Sequence, residues 1–127
     1  MRGYIVVTNT QLRGFLDTQQ LSGSVIYAPT PQLSGVYGVE EQEEVEYAAL
    51  EVAREAAEGS GCTVIVALDL SSSVLAQGDE VQPGEIRGNF LIPWDDVDAL
   101  YLISNIDEEL EWYDSSESEL CIAQAER

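Results

Sequence analysis

The sequence predicts a single α/β domain over residues 1–114, with a mixed sheet of five or six strands covered by two main helices. Three observations carry that reading. Up to Leu70 the chain alternates strand, helix, strand, helix, strand, the order of two successive crossovers, which implies a partly parallel sheet. The middle third joins an acid-headed helix, Val39–Glu58, to the apolar strand Cys62–Leu70. After Ile86 the apolar residues alternate, as in strands with one wet face.

The elements follow in order. Tyr4–Thr8 is a short, β-branched apolar run and reads as a strand buried on both faces. Thr8, Asn9 or Thr10 can cap a helix in which Leu12, Phe15 and Leu16 share a face, with Leu21 as a continuation and Ser22-Gly23 as the stop. Ser24–Ala28 is a second strand. Pro29-Thr30-Pro31 then argues against a regular ladder or helix, because each proline removes a donor and fixes the backbone. Gln32–Gly38 is expected as a loop or single turn.

In the central helix, Val45, Ala48, Ala49, Val52, Ala53 and Ala56 recur at helical spacing. Glu40, Glu41, Glu43 and Glu44 sit at its start, where the helix dipole favours negative charge. Gly59 is the expected C-cap. Ser71–Glu85 is polar, contains Gly78, Pro83 and Gly84, and reads as a mobile surface loop. Ile86–Ile92 and Ala99–Ile103 are strands, with a turn or one-turn helix at 93–98 between them, where Trp94 is a core or rim residue. Asn105–Asp107 turns the chain. Glu109–Tyr113 alternates and reads as an edge strand whose glutamates discourage edge-to-edge association. Residues 115–127 are expected as a loosely attached tail or short helix.

Composition bounds the chemistry. Twenty-four acids face five arginines, with no lysine and no histidine, for a net charge of −19. Such a surface repels nucleic-acid phosphates and anionic lipid, so neither nucleic acid nor membrane is an expected partner. No lysine means no Schiff base and no P-loop lysine. No histidine means no Ser-His-Asp or Cys-His pair and none of the usual histidine zinc sites. Cys62 and Cys121 are far apart in the chain, which favours a reducing, cytoplasmic setting over a disulfide framework. No catalytic residue set and no cofactor are expected.

Two constellations remain as candidate sites. Asp69-Leu70-Ser71-Ser72-Ser73 follows an apolar strand and has the form D-x-S-x-S. It resembles the metal-ion-dependent adhesion site of von Willebrand factor A domains, and that resemblance implies Asp69, Ser71 and Ser73 as oxygen ligands for Mg²⁺ or Ca²⁺. Against it stand the position of the motif late in the alternation and the commonness of serine runs in loops. The second is an aromatic and acidic edge, Glu109, Glu111, Trp112 and Tyr113, where aromatics inside a charged rim suit a protein partner. The Glu40–Glu46 run and Asp95, Asp96 and Asp98 read more simply as a dipole-matched helix start and a capped turn.

Several stretches together resemble a family of small uncharacterised proteins of high-GC Gram-positive bacteria, a domain of unknown function. They are Met1-Arg2-Gly3-Tyr4-Ile5, Thr30-Pro31, the acidic run into Glu46-Tyr47-Ala48-Ala49-Leu50, Val64-Ile65-Val66-Ala67-Leu68-Asp69, and Leu110-Glu111-Trp112-Tyr113 with Glu117. The resemblance implies no activity and no catalytic residues. It counts against the adhesion-site reading, because members do not keep the serines after the matching aspartate. The expected function is a non-enzymatic acidic module that binds a protein partner of basic character. The alternative is a Mg²⁺- or Ca²⁺-dependent binding module or hydrolase built on Asp69, Ser71 and Ser73.

Overall fold

In the computed structural model, residues 2–103 and 110–125 are described. Seven strands form one sheet: β1 (Arg2–Val7), β2 (Gln20–Tyr27), β3 (Val64–Asp69), β4 (Gly78–Gln82), β5 (Glu85–Pro93), β6 (Val97–Ile103) and β7 (Leu110–Asp114). The helices are α1 (Asn9–Thr18), α2 (Pro31–Tyr37), α3 (Gln42–Ser60), the single turn α4 (Ser72–Leu75) and α5 (Ser118–Ala125). The α/β class holds, with seven strands and five helices in place of five or six strands and two main helices.

The sheet order is β4-β5-β2-β1-β3-β6-β7, and every neighbouring pair is antiparallel. The expectation of a partly parallel sheet is therefore corrected, for an identifiable reason. Both β2 and β3 run antiparallel to β1, so they are parallel to each other. The crossover through α2 and α3 exists, but it jumps over β1, which occupies the place between them. Periodicity reports burial on two faces and is blind to which strand lies next door.

Helices cover both faces. On one, α1, α4 and α5 contribute Leu12, Phe15, Leu16, Val74, Leu75, Cys121 and Ile122 to a core with Ile5, Val7, Val64, Val66 and Leu68. On the other, α2 and α3 pack Leu33, Val45, Ala48, Ala49, Leu50 and Ala53 against Tyr4, Tyr27, Ile65, Ala67 and Ala99. Successive residues of β1 and β3 therefore feed opposite layers, as the two-residue period of a strand requires.

Local chemistry explains where the elements begin and end. Thr8 caps α1 through its side chain and Gln11 returns the bond to the Thr8 N–H, a complete capping box. Gln19 then takes a left-handed conformation, φ 58°, and turns the chain into β2. Leu21 thus belongs to a strand and not to the preceding helix. Pro31 does not forbid a helix but starts one: it is the first residue of α2, where the missing N–H costs nothing, and Thr30 caps it. Helix α3 begins at Gln42, later than expected, and ends through left-handed Gly61 instead of Gly59. The Gly61 N–H bonds the Ala57 carbonyl there.

The expected mobile loop at 71–85 is mostly ordered structure. After α4 it supplies β4, hairpinned to β5. Gly78 pairs with Gly88 in a close backbone approach: a Cβ on Gly78 would stand 2.6 Å from the Arg87 carbonyl oxygen, and one on Gly88 2.6 Å from that of Gln77. The hairpin turn is tied inward as well. Glu80 Oε2 accepts from the Thr30 hydroxyl and, at 2.9 Å, from the Gly84 N–H. The segment after 114 forms a 3₁₀ turn (Ser115–Glu117) and α5, whose Cys121 and Ile122 are buried among the α1-side residues. Asp114 starts it with a capping box to Glu117, and the Ser116 hydroxyl, 2.6 Å away, holds the Asp114 carboxyl below its ordinary pKa. The expected turn at 105–107 lies outside the described residues.

Four of the six buried residues of α3 are alanines, and the sheet answers with Ala67 and Ala99. Ala53 is fully buried. Ala53→Leu should therefore overpack this layer and cost roughly 1–3 kcal/mol. Urea unfolding would read this as a lowered midpoint at unchanged slope, and an unchanged midpoint would contradict the close packing.

Candidate functional site

The residues that sequence reasoning singled out are distributed over three places. Asp69 ends β3 and is exposed, as are Ser71 and Ser73. The two serine hydroxyls meet at 2.9 Å, and Ser71 Oγ also accepts from the Val74 N–H at 3.4 Å, so it caps the single turn of α4. Among the described residues no group of three or more His, Cys, Asp and Glu is placed to hold a metal ion. One carboxylate and two hydroxyls on an open turn offer few of the oxygen ligands that Ca²⁺ or Mg²⁺ needs.

The edge strand β7 lies next to β6, with Tyr101 opposite Trp112 and Leu100 opposite Tyr113. Alternation sends the two aromatics to different faces. Trp112 is 58% exposed and stands on the α3 side, next to the Tyr4–Tyr101 edge-to-face pair, whose ring centroids are 6.5 Å apart. Tyr113 packs partly against the α1-side core and donates its hydroxyl to Glu111 Oε2 at 3.0 Å. Trp112 is therefore separated from Glu111 and Tyr113 by the thickness of the strand, and Glu109 lies outside the described residues.

The acids at the start of α3 divide by role. Glu46 Oε2 accepts from the Arg2 backbone N–H at 2.9 Å and from Gln42 Nε2 at 3.2 Å, which ties the helix to β1. Asp98 lies 3.8 Å from the Arg2 guanidinium. Glu43 and Glu44 point outward. Between them and α2 opens a groove of about 420 Å³ lined by Tyr37, Val39, Tyr47 and Ala48. Tyr47 is 64% exposed and Tyr37 47%, and Val36 beside them is exposed as well.

This groove was not visible as a site in the sequence. It needs α2 to exist, and α2 was hidden behind two prolines. Its connection to α3 is held by the loop between them, where the Val39 N–H reaches the Ser34 carbonyl at 3.2 Å and the Ser34 hydroxyl donates back to the Val39 carbonyl. The signal that was available is Tyr47 itself: a large aromatic on the polar side of an otherwise alanine-faced helix.

Residues 1–105 match the sequence model of a family of unknown function (DUF6912), and the chain belongs to that family. Neither the curated proteins nor the solved structures contain a match. Among the described residues no helix is long and apolar enough to cross a membrane.

For the D-x-S-x-S segment, the open geometry predicts no thermal stabilisation by a several-fold excess of Mg²⁺ or Ca²⁺. A rise in Tm that Asp69→Ala abolishes would establish a cation site there.

Proposed function

We propose that this protein is a non-enzymatic, cytoplasmic binding module for a basic protein partner, and that the groove between α2 and α3 is its contact surface. The observation that carries the reading is the pairing of two exposed tyrosines with two outward carboxylates around one apolar depression. Exposed large hydrophobics are unremarkable singly, whereas Val36, Tyr37 and Tyr47 are grouped on adjacent helices.

The chemistry of the groove suits arginine or lysine side chains. An aromatic face attracts a guanidinium or ammonium, and the apolar floor receives the methylene stem. Glu43 and Glu44 complete the recognition by charge. The whole-chain charge of −19 adds long-range attraction, which speeds encounter with a basic partner and repels acidic ones. The two free cysteines, Cys62 and Cys121, fit a reducing compartment. The residue types missing from the chain, lysine and histidine, support a role without catalysis.

A short peptide alternating arginine and leucine, titrated by calorimetry at moderate salt, tests this reading. Tyr47→Ala should weaken binding by roughly tenfold, the loss typical of an aromatic anchor. Glu43→Gln with Glu44→Gln should reduce the salt dependence. If Glu55→Gln with Glu58→Gln, at the far end of α3, weakens binding as much as the groove substitutions do, the attraction is diffuse charge and the groove is not the site.

A further inference from the structure

The two strands at the middle of the sheet are incompletely joined. β1 pairs with β3 at six consecutive positions and β2 with β5 at seven, yet β1 and β2 pair only at Tyr4↔Tyr27. A β-bulge lies beside the parting. Between Gly23↔Phe90 and Val25↔Arg87 the register slips, with Gly88 and Asn89 both opposite Ser24. Such a bulge sharpens the local twist. It lies three residues along β2 from the single pair with β1 at Tyr27.

The parting opens a cleft of about 300 Å³ through the sheet. Its walls come from both strands and from both helical layers: Val6, Gly23 and Ser24 at the strand edges, Phe15 from α1, and Ser60 and Cys62 from the end of α3 and the chain beyond it. No charged side chain lines it, although the chain carries 24 acids. Gly23 keeps it open. A Cβ at that position would meet only Ile5 side-chain carbons, the nearest at 3.5 Å, an ordinary contact, and Gly23 does not occupy a left-handed conformation.

We propose that this cleft is a binding site for an extended, uncharged peptide segment, which completes the sheet by hydrogen bonding to the strand edges that β1 and β2 fail to offer each other. Strand edges supply main-chain affinity that any extended peptide can use, and the apolar side chains of the walls select small or aliphatic residues. The absence of lining charge selects against acidic and basic side chains alike, because either would be desolvated without a partner. The site is separate from the groove between α2 and α3 and does not depend on it.

Cys62 is a native reporter for the cleft. It lines the cavity and is partly exposed, whereas Cys121 is fully buried, with burial pushing its thiol up to about 11. A neutral aromatic disulfide reagent should therefore modify the folded protein at Cys62 alone. The probe is a capped, uncharged peptide alternating valine and serine. At about ten times its Kd it should slow the Cys62 reaction about tenfold, the factor set by one-site occupancy. The same peptide N-methylated along its backbone should not protect, because it lacks the donors. Gly23→Val should abolish protection by filling the cleft, and Gly23→Ala, the smaller plug, should weaken it while the melting temperature holds. Tyr47→Ala should leave protection unchanged. Absence of protection at millimolar peptide, equal protection by the N-methylated peptide, or protection that survives both Gly23 substitutions would overturn the proposal. Loss of protection in Tyr47→Ala would overturn its independence from the groove.

Discussion

Helix α3 approaches the sheet through alanines, and much of the molecule follows from that constraint. Ala48, Ala49, Ala53 and Ala57 are buried, and Ala67 and Ala99 face them from β3 and β6. Small residues on both sides leave little side-chain bulk between this part of the helix and the central strands. The space at its flanks then has to be filled by long side chains, and Tyr4 and Tyr27 fill it from β1 and β2. Burial holds the hydroxyls of both tyrosines above their ordinary pKa, so they remain neutral fillers. The opposite layer solves the same problem with large aliphatics, Leu12, Leu21, Ile26, Ile92 and Leu100 among them. The two faces of the sheet are thus unequal, and the alanine-rich layer is the one that carries the acid-headed helix.

Tyr47 falls outside the buried positions of α3, Val45, Ala48, Ala49, Leu50, Ala53 and Ala57, and so points outward. The short α2, held by the Thr30 cap and the contacts between Ser34 and Val39, brings Tyr37 beside it. The acids at the start of α3 were expected as a response to the helix dipole, and Glu46 does serve structure through the Arg2 N–H. Glu43 and Glu44 remain at the margin of an apolar depression. The same residues that a helix start favours electrostatically stand, with two tyrosines beside them, where the proposed cation with an apolar stem would sit.

Much of the fold was legible because hydrophobic periodicity reports burial directly. The strands around Tyr4–Val7, Val64–Asp69, Ile86–Ile92 and Ala99–Ile103, the helix around Val45–Ala57 and the edge strand at Leu110–Tyr113 all fall where their patterns put them. What escaped was information that periodicity does not hold. A strand buried on both faces looks alike in parallel and antiparallel sheets, so the insertion of β1 between β2 and β3 was invisible. β4 has the sequence Gly-Asp-Glu-Val-Gln and is held by backbone pairing and the Gly78–Gly88 approach, not by an apolar face. The left-handed turn at Gln19 has no glycine to announce it. The candidate surfaces were harder still. Tyr37 and Tyr47 belong to different helices, Trp112 and Tyr113 are adjacent in sequence but on opposite faces, and the cleft between β1 and β2 is a missing pairing, which no residue pattern spells out.

The claim that the acidic module recognises a basic partner through one groove is tested most directly by amide chemical shifts during titration with an arginine-rich peptide. The account predicts perturbations concentrated from Gly35 to Ala48, at the end of α2 and the start of α3, saturating together with one affinity. Small shifts spread over the acidic surface without saturation, or a response centred on Trp112 and β7, would contradict it.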